Sequence, residues 1–128
     1  MKEKEGTPTH WYCHVEFDVV DPAGLVRYLG EQIEIERKNG MQSYEFFVDN
    51  PEQPAKAVLL ECFPDDAVQQ SHLKHFRPDL FLTYLANPRI SVLGNPPASV
   101  RERMLSHGFW PPAFEGDFCH WPHLAGFR

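Results

Sequence analysis

The segment from Gly40 to Phe76 restricts the possible folds most, because it places two strand-like runs, a turn and a helix in immediate succession. The runs 41–48 and 56–63 are rich in aromatic and branched apolar residues, which favour β-strands. Between them lies Asp-Asn-Pro-Glu-Gln-Pro, a polar sequence with the residue types that form tight turns. The two runs are therefore predicted to pair as a β-hairpin, followed by a helix that starts near Asp65.

The sequence on either side extends this unit to the order β-α-β-β-α-β. Residues 10–20 alternate between apolar and polar side chains, as a half-buried strand does. Asp21-Pro22 predicts the start of a helix that ends at Asn39-Gly40. A second helical region, split in two, and a short strand at 89–93 complete the order. This is the ferredoxin-like arrangement of the α+β class, a four-stranded antiparallel sheet with helices on one face.

The first helix, at about 22–38, is predicted to bury one apolar face. The inward positions recur at three- and four-residue spacing: Leu25, Val26, Leu29, Ile33 and Arg37. The other positions are predicted to form a solvated face: Glu31, Gln32, Glu34, Glu36 and Lys38.

Composition and charge limit the classes of function. At 128 residues and 14.8 kDa, the chain is expected to form one domain. Its formal net charge of −6, without any basic run, argues against nucleic acid or an anionic membrane as a partner. No apolar run approaches the roughly 18 residues that span a bilayer. The N-terminus also lacks a secretory signal, so a cytoplasmic location is expected.

The chain is predicted to divide into a flexible N-terminus at 1–9, a ferredoxin-like domain at 10–94 and a C-terminal extension at 95–128. The extension contains five prolines and six aromatic residues in 34 positions. One more helix is predicted over 97–107. The rest is expected to be an irregular arm packed on its own subunit or on a partner, because disordered tails are poor in aromatic residues.

Neither the cysteines nor the histidines have the spacing of a strong metal site. The cysteines are far apart and include no CxxC pair: Cys13, Cys62 and Cys119. His72 and His75 lack a carboxylate at matched spacing, and Cys119-His120 with His123 lacks a fourth partner. No metal site and no disulfide framework are therefore predicted.

A set of short motifs in the central segment supports a family resemblance. They are a glycine after the first helix, a tyrosine-acid pair, an acid-x-aromatic strand end and a later histidine: Gly40, Tyr44-Glu45, Glu61-Cys62-Phe63 and His72. With these motifs, residues 12–94 resemble the antibiotic biosynthesis monooxygenase family of dimeric α/β-barrel proteins. The resemblance implies a cavity between sheet and helices in each subunit. It also implies oxidation of a small aromatic or quinol-like molecule without any cofactor.

A homodimer closed through the sheet faces is expected from the side chains as well. Tyr12, His14 and Phe46 or Phe47 are too large and too mixed for a purely solvated sheet face. Contiguous apolar surface of this kind usually marks an interface between subunits.

Within the implied cavity, His72 is the candidate base or hydrogen-bond donor, because histidine titrates near neutral pH. The alternative is a core histidine bonded to a neighbour such as Glu61 or Tyr44. His75 is a candidate to share the site. Glu61 is predicted either to pair with a cation at the dimer seam or to point into the pocket. The residues predicted to line the substrate site or the core around it are Trp11, Tyr44, Phe46, Glu61, Phe63, Phe76 and Phe81.

Two hypotheses for the function result. The leading one is a cofactor-independent monooxygenase that acts on a small aromatic or quinol-type substrate, with His72 as the base. The alternative is a non-catalytic dimeric ligand-binding or interaction module of the same fold, in which the aromatic C-terminal arm carries the function.

Overall fold

The computed structural model describes residues 10–107 and 117–126, so the prediction for residues 1–9 lies outside the described residues. The described residues form five strands and four helices: β1 Trp11–Val19, α1 Pro22–Lys38, β2 Ser43–Val48, β3 Lys56–Phe63, α2 Asp66–His75, α3 Pro78–Tyr84, β4 Leu85–Gly94, α4 Ala98–Ser106 and β5 Asp117–Trp121. No helix among them is long and apolar enough to cross a membrane.

The described strands form one mixed sheet in the order β2-β3-β1-β4-β5. The pairs β2-β3, β3-β1 and β1-β4 are antiparallel, which is compatible with a ferredoxin-like fold, whereas β4 and β5 run parallel. The prediction of a four-stranded, wholly antiparallel sheet followed by an irregular arm was therefore wrong at β5. A parallel neighbour needs a crossover connection, and the connection from β4 to β5 contains α4.

The core lies on one face of this sheet. In β1 the buried side chains are Trp11, Cys13, Val15 and Phe17, and the residues between them are half-buried, as the alternating sequence predicts. Their neighbours on β3 and β4 include Leu59, Phe63 and Val92, which belong to the same core cluster.

The ends of α1 follow from its local sequence. The Asp21 carboxylate caps the first turn by accepting a hydrogen bond from the Gly24 amide at 3.0 Å, and Pro22 occupies the first position. After the helix, Gly40 adopts a φ of 87°, a left-handed conformation that glycine reaches without steric cost.

The rotation of α1 differs from the predicted one. Val26 is 68% exposed, whereas Gln32 and Glu36 are buried, the latter at 0% exposure. Leu25, Leu29, Gln32 and Glu36 are four, three and four positions apart, so they lie along one stripe of the helix. The apolar residues of α1 are scattered around the helix, so their spacing did not identify this buried stripe. Two polar residues, Gln32 and Glu36, complete it.

The fourth strand begins earlier than predicted, at Leu85 instead of Arg89. The register of β1 against β4 shifts between Glu16 and Asp18. Asn87 has a positive φ of 53° beside this irregularity, and Pro88 follows it. Proline is tolerated within a sheet at a bulge, because no ladder hydrogen bond is then required of its nitrogen.

Candidate active site

A cavity of about 100 Å³ lies between the core face of the sheet and three of the helices. The sheet contributes residues from β1, β3 and β4, and the helices contribute residues from α2, α3 and α4. Among the described residues, the lining is apolar and aromatic apart from three polar side chains, those of Glu61, Gln69 and His72. This composition is typical of small-molecule sites, which combine apolar walls with a few placed polar groups.

Helix α2 brings His72 to the cavity wall. Asp65 caps the helix by accepting a hydrogen bond from the Val68 amide at 2.9 Å. Gln69 and His72 are its buried residues, three positions apart on the same face. The His72 ring lies between two phenylalanines, with centroids 5.4 Å from Phe63 and 5.6 Å from Phe76.

Helix α4 holds α2 in place from the side. Arg103 donates from Nη1 to Asp66 Oδ1 at 2.6 Å and to Gln69 Oε1 at 2.7 Å. These bonds occupy the Gln69 side-chain oxygen, so the part of the polar wall that is not tied to α4 consists of Glu61 and His72.

Two buried carboxylates contact His72, one at each ring nitrogen. Nδ1 forms a hydrogen bond with the Glu36 carboxylate on α1, and Nε2 lies 3.3 Å from Glu61 Oε2 on β3. The side chains of all three residues are less than a tenth exposed. A buried imidazole with a carboxylate at each nitrogen is suited to hold a proton and to orient it.

An outer hydrogen bond network positions Glu36. Asn39 at the end of α1 donates from Nδ2 to Glu36 Oε1 at 2.9 Å. Ser71 on α2 donates from Oγ to Asn39 Oδ1, also at 2.9 Å. This chain connects the C-terminus of α1 to the middle of α2, so the Glu36 carboxylate is held from the side opposite to His72.

Burial and charge shift the pKa values of the cluster. Burial raises the pKa of Glu61 to about 7. The attraction of His72 lowers this pKa, and the repulsion of Glu36 raises it further. Burial alone would lower the pKa of His72, but the adjoining Glu61 and Glu36 outweigh it and raise that pKa above its ordinary value. Both shifts favour the protonated forms of His72 and Glu61 relative to the free side chains.

The same three residues present donor atoms within 4.8 Å of one another, so they are the described group with the composition of a metal site. Their arrangement fits a cation poorly. Each carboxylate contacts a different nitrogen of His72, and the two nitrogens point to opposite sides of the ring. A single ion bound to one nitrogen would have to draw the far carboxylate around the imidazole, so the geometry is that of a histidine paired with two carboxylates.

The structure brings five of the predicted site residues to the cavity wall: Trp11, Glu61, Phe63, His72 and Phe76. Two others lie beside the cavity instead of along it. Tyr44 and Phe46 are half-buried on β2, packed against the core cluster and against each other. The side chain of Phe81 lies outside the described residues.

His75 does not share the site. It is exposed at the end of α2, because its position three residues after His72 falls at the border of the buried face. Of the two alternatives for Glu61, the described residues show the one that points into the pocket, where Glu61 lies 3.3 Å from His72.

Sequence reasoning missed Glu36, which it placed on the solvated face of α1. The signal that could have found it is the stripe from Leu25 through Leu29 to Glu36, in which a carboxylate follows two apolar residues on one helix face. A carboxylate on a core-facing stripe needs a partner, and His72 is the available one.

Comparison with known proteins gives structural neighbours only. No family model matches the chain, and no curated protein matches it. The crystal structure of MupZ from Pseudomonas fluorescens is similar over 93% of both chains, with a TM-score of 0.65 and 16% identity. Protein SO0527 from Shewanella oneidensis is similar over 67% of this chain and 90% of its own, with a TM-score of 0.53 and 17% identity. At such identities the similarity shows the fold alone.

Proposed function

We propose that this protein is an acid–base enzyme for small, largely apolar molecules, and specifically a cofactor-independent monooxygenase acting on an aromatic or quinol-type substrate. The observation that carries the proposal is the buried triad, in which His72 and Glu61 supply two of the three polar side chains that line the otherwise apolar cavity. Membership of the antibiotic biosynthesis monooxygenase family is part of the proposal and is supported by the motifs around Tyr44 and His72.

The size and charge of the cavity support a substrate with one ring and no net charge. A buried apolar cavity of about 150 Å³ accommodates benzene, and this one measures about 100 Å³, so its size limits a bound molecule to a single ring. Phe63 and Phe76 offer ring faces and edges to an aromatic molecule. No lysine or arginine is among the described lining residues, and two carboxylates already balance the charge of His72, so a carboxylate or phosphate group would lack a counter-charge.

The chemistry requires a proton acceptor and a stabilised oxyanion. The triad takes the proton of a ring hydroxyl, and the resulting anion is electron-rich enough to reduce O₂ directly. One oxygen atom is inserted into the ring and the other leaves as water, with all reducing electrons supplied by the substrate. The positive charge on His72 stabilises the oxyanion while the substrate reacts.

Oxygen consumption tests this function. With a panel of single-ring hydroquinones, the purified protein is expected to consume O₂ in an oxygen electrode, and His72→Ala to lower the rate by about 10²–10³-fold, the loss typical of removing a group that stabilises an oxyanion. His75→Ala is the matched control, because this histidine is exposed on the same helix. Equal rates in the two variants would remove the proposed role of His72.

The non-catalytic ligand-binding module is the second candidate. The observation that favours it is that both ring nitrogens of His72 are already occupied by carboxylates. The same cavity would then bind a ligand without turnover, and the oxygen electrode distinguishes the two functions directly.

We further propose that the sheet face opposite the core is a homodimer interface, in a protein with a cytoplasmic location. This face carries half-buried residues on the central strands, such as Tyr12, Leu60 and Leu93. Phe47 and Trp121, on the two edge strands, are 51% and 60% exposed. None of the three cysteines forms a disulfide, which accords with a reducing compartment.

Sedimentation velocity tests the dimer. The protein is expected to sediment as a dimer, and Phe47→Glu to weaken the association at least tenfold, since a buried unpaired carboxylate opposes it. Val26→Glu changes an exposed residue of α1, outside the sheet, and should leave association unchanged. A wild-type chain that sediments as a monomer would contradict the proposed interface.

A further inference from the structure

We propose that Glu61 is the group that exchanges a proton with the molecule bound in the cavity, and that His72 remains an imidazolium held in position by Glu36. The inference rests on the proposed function only in taking the cavity as a binding site. It assigns to Glu61 the proton transfer that sequence reasoning assigned to His72.

The first argument is the direction of the lone pairs. A base must present a lone pair to the substrate, but Nδ1 of His72 is bonded to Glu36 and Nε2 faces Glu61. Glu61 lies against His72 through Oε2, and no hydrogen bond among the described residues uses its Oε1. Glu61 and His72 both line the cavity, whereas Glu36 does not. The oxygen available to a bound molecule is therefore Oε1 of Glu61.

The second argument is the charge balance within the triad. With a proton on His72, its positive charge lies between two carboxylates, so the triad carries one negative charge when Glu61 is ionised. A proton accepted by Glu61 from a neutral molecule moves that negative charge to the molecule, beside His72. The net charge of the buried site does not change, and no charge has to enter or leave the low-dielectric interior.

The third argument is the character of the other groups that face Glu61. Cys13 on β1 and Tyr44 on β2 are its cross-strand partners, and Tyr28 on α1 is close enough to interact electrostatically. Burial raises the pKa of the Cys13 thiol well above its ordinary value. Burial also raises the pKa of Tyr44, and that of Tyr28 to about 12. These three groups stay neutral near pH 7, so they add no charge beside Glu61 and His72.

The occupant class follows from this assignment. An ionised Glu61 binds a neutral molecule with a weakly acidic hydroxyl, accepts its proton and later returns it. A molecule of the same shape without that hydrogen leaves Oε1 unpaired in an apolar wall, which disfavours binding. Phenol and its methyl ether, anisole, are a matched pair of single-ring probes for this distinction.

Infrared spectroscopy of the full chain tests the inference without turnover or oxygen. The carbonyl band of a protonated carboxylic acid is expected to disappear as the pH rises through about 7. This carboxylic acid band, which disappears near pH 7, should be absent in Glu61→Gln. It should be unchanged in Glu52→Gln, which alters an exposed turn residue. Saturating phenol should lower the midpoint by about one pH unit, since a hydrogen bond to the ionised form stabilises it, whereas anisole should not.

Nuclear magnetic resonance of the His72 ring in the wild-type protein provides a test that needs no variant. Both ring nitrogens are expected to stay protonated throughout the pH range in which the Glu61 carboxyl band disappears. Loss of the imidazolium proton in the range where the carboxyl band persists would overturn the assignment. A midpoint that phenol does not move, or a carboxyl band that survives in Glu61→Gln, would also overturn it. Failure of O₂ consumption would leave these results untouched and would refute the oxygenase function alone.

Discussion

Replacing Glu36 with alanine is expected to lower the free energy of unfolding by about 3–5 kcal/mol, the cost of breaking a buried ion pair from one side. Glu36 is fully buried, bonds to Nδ1 of His72 and accepts a hydrogen bond from Asn39. Its removal leaves an imidazolium and an amide donor inside the protein without their partner. Urea unfolding followed by circular dichroism measures the loss.

Two further variants separate the contributions to this loss of stability. One removes the charge of Glu36 but keeps a hydrogen-bond acceptor, and the other tests the effect of an alanine in the same helix. Glu36→Gln keeps an acceptor for Nδ1 and should lose less stability than alanine does. Glu34→Ala alters the same helix at an exposed position, where Glu34 pairs with Arg37 on the surface. Such pairs contribute little, so this change should stay within about 0.5 kcal/mol of the wild type. A Glu36→Ala loss no larger than that of Glu34→Ala would refute the buried ion pair.

The second large effect is expected at Trp11, where alanine should cost about 3–5 kcal/mol. Trp11 is 0% exposed, and its ring stacks on Phe63 with centroids 5.5 Å apart and planes 14° apart. It also borders the cavity, so truncation enlarges a space that the surrounding sheet cannot close. The same unfolding experiment measures this loss.

Trp121 is the matched control, because it is a tryptophan in the same sheet with 60% of its surface exposed. Trp121→Ala is expected to change stability by less than about 1 kcal/mol when measured at dilution, where any dimer has dissociated. Similar losses at the two positions would show that Trp11 does not anchor the core.

Local patterns were sufficient for the elements whose structure depends on neighbouring residues. The alternation of β1 predicts its buried face, and the predicted bounds of β3 match the observed Lys56–Phe63. Asp21-Pro22 and Gly40 mark the two ends of α1 because capping and left-handed backbone are properties of one or two residues. These features need no knowledge of what packs against them.

The candidate site was predictable only in part, because its polar groups come from three separate elements. The position of His72 on the inward face of α2 and its spacing along the sequence from Phe63 pointed to this residue. His72 is buried against the sheet. Glu36 lies 36 positions away and was predicted to be solvated. Hydrophobic spacing does not identify a helix face when the buried stripe contains Gln32 and Glu36.

The sequence by itself determined the order of the first four strands and the helices between them, the ends of α1 and the inward direction of His72. Only the tertiary structure decided that β5 joins the sheet in parallel, that α1 turns Glu36 inward, and that a cavity remains beside Glu61. The physical reason is the range of the interactions. Turns, caps and strand alternation depend on adjacent residues, whereas the partners of a buried charge are set by elements that meet only when the chain has folded.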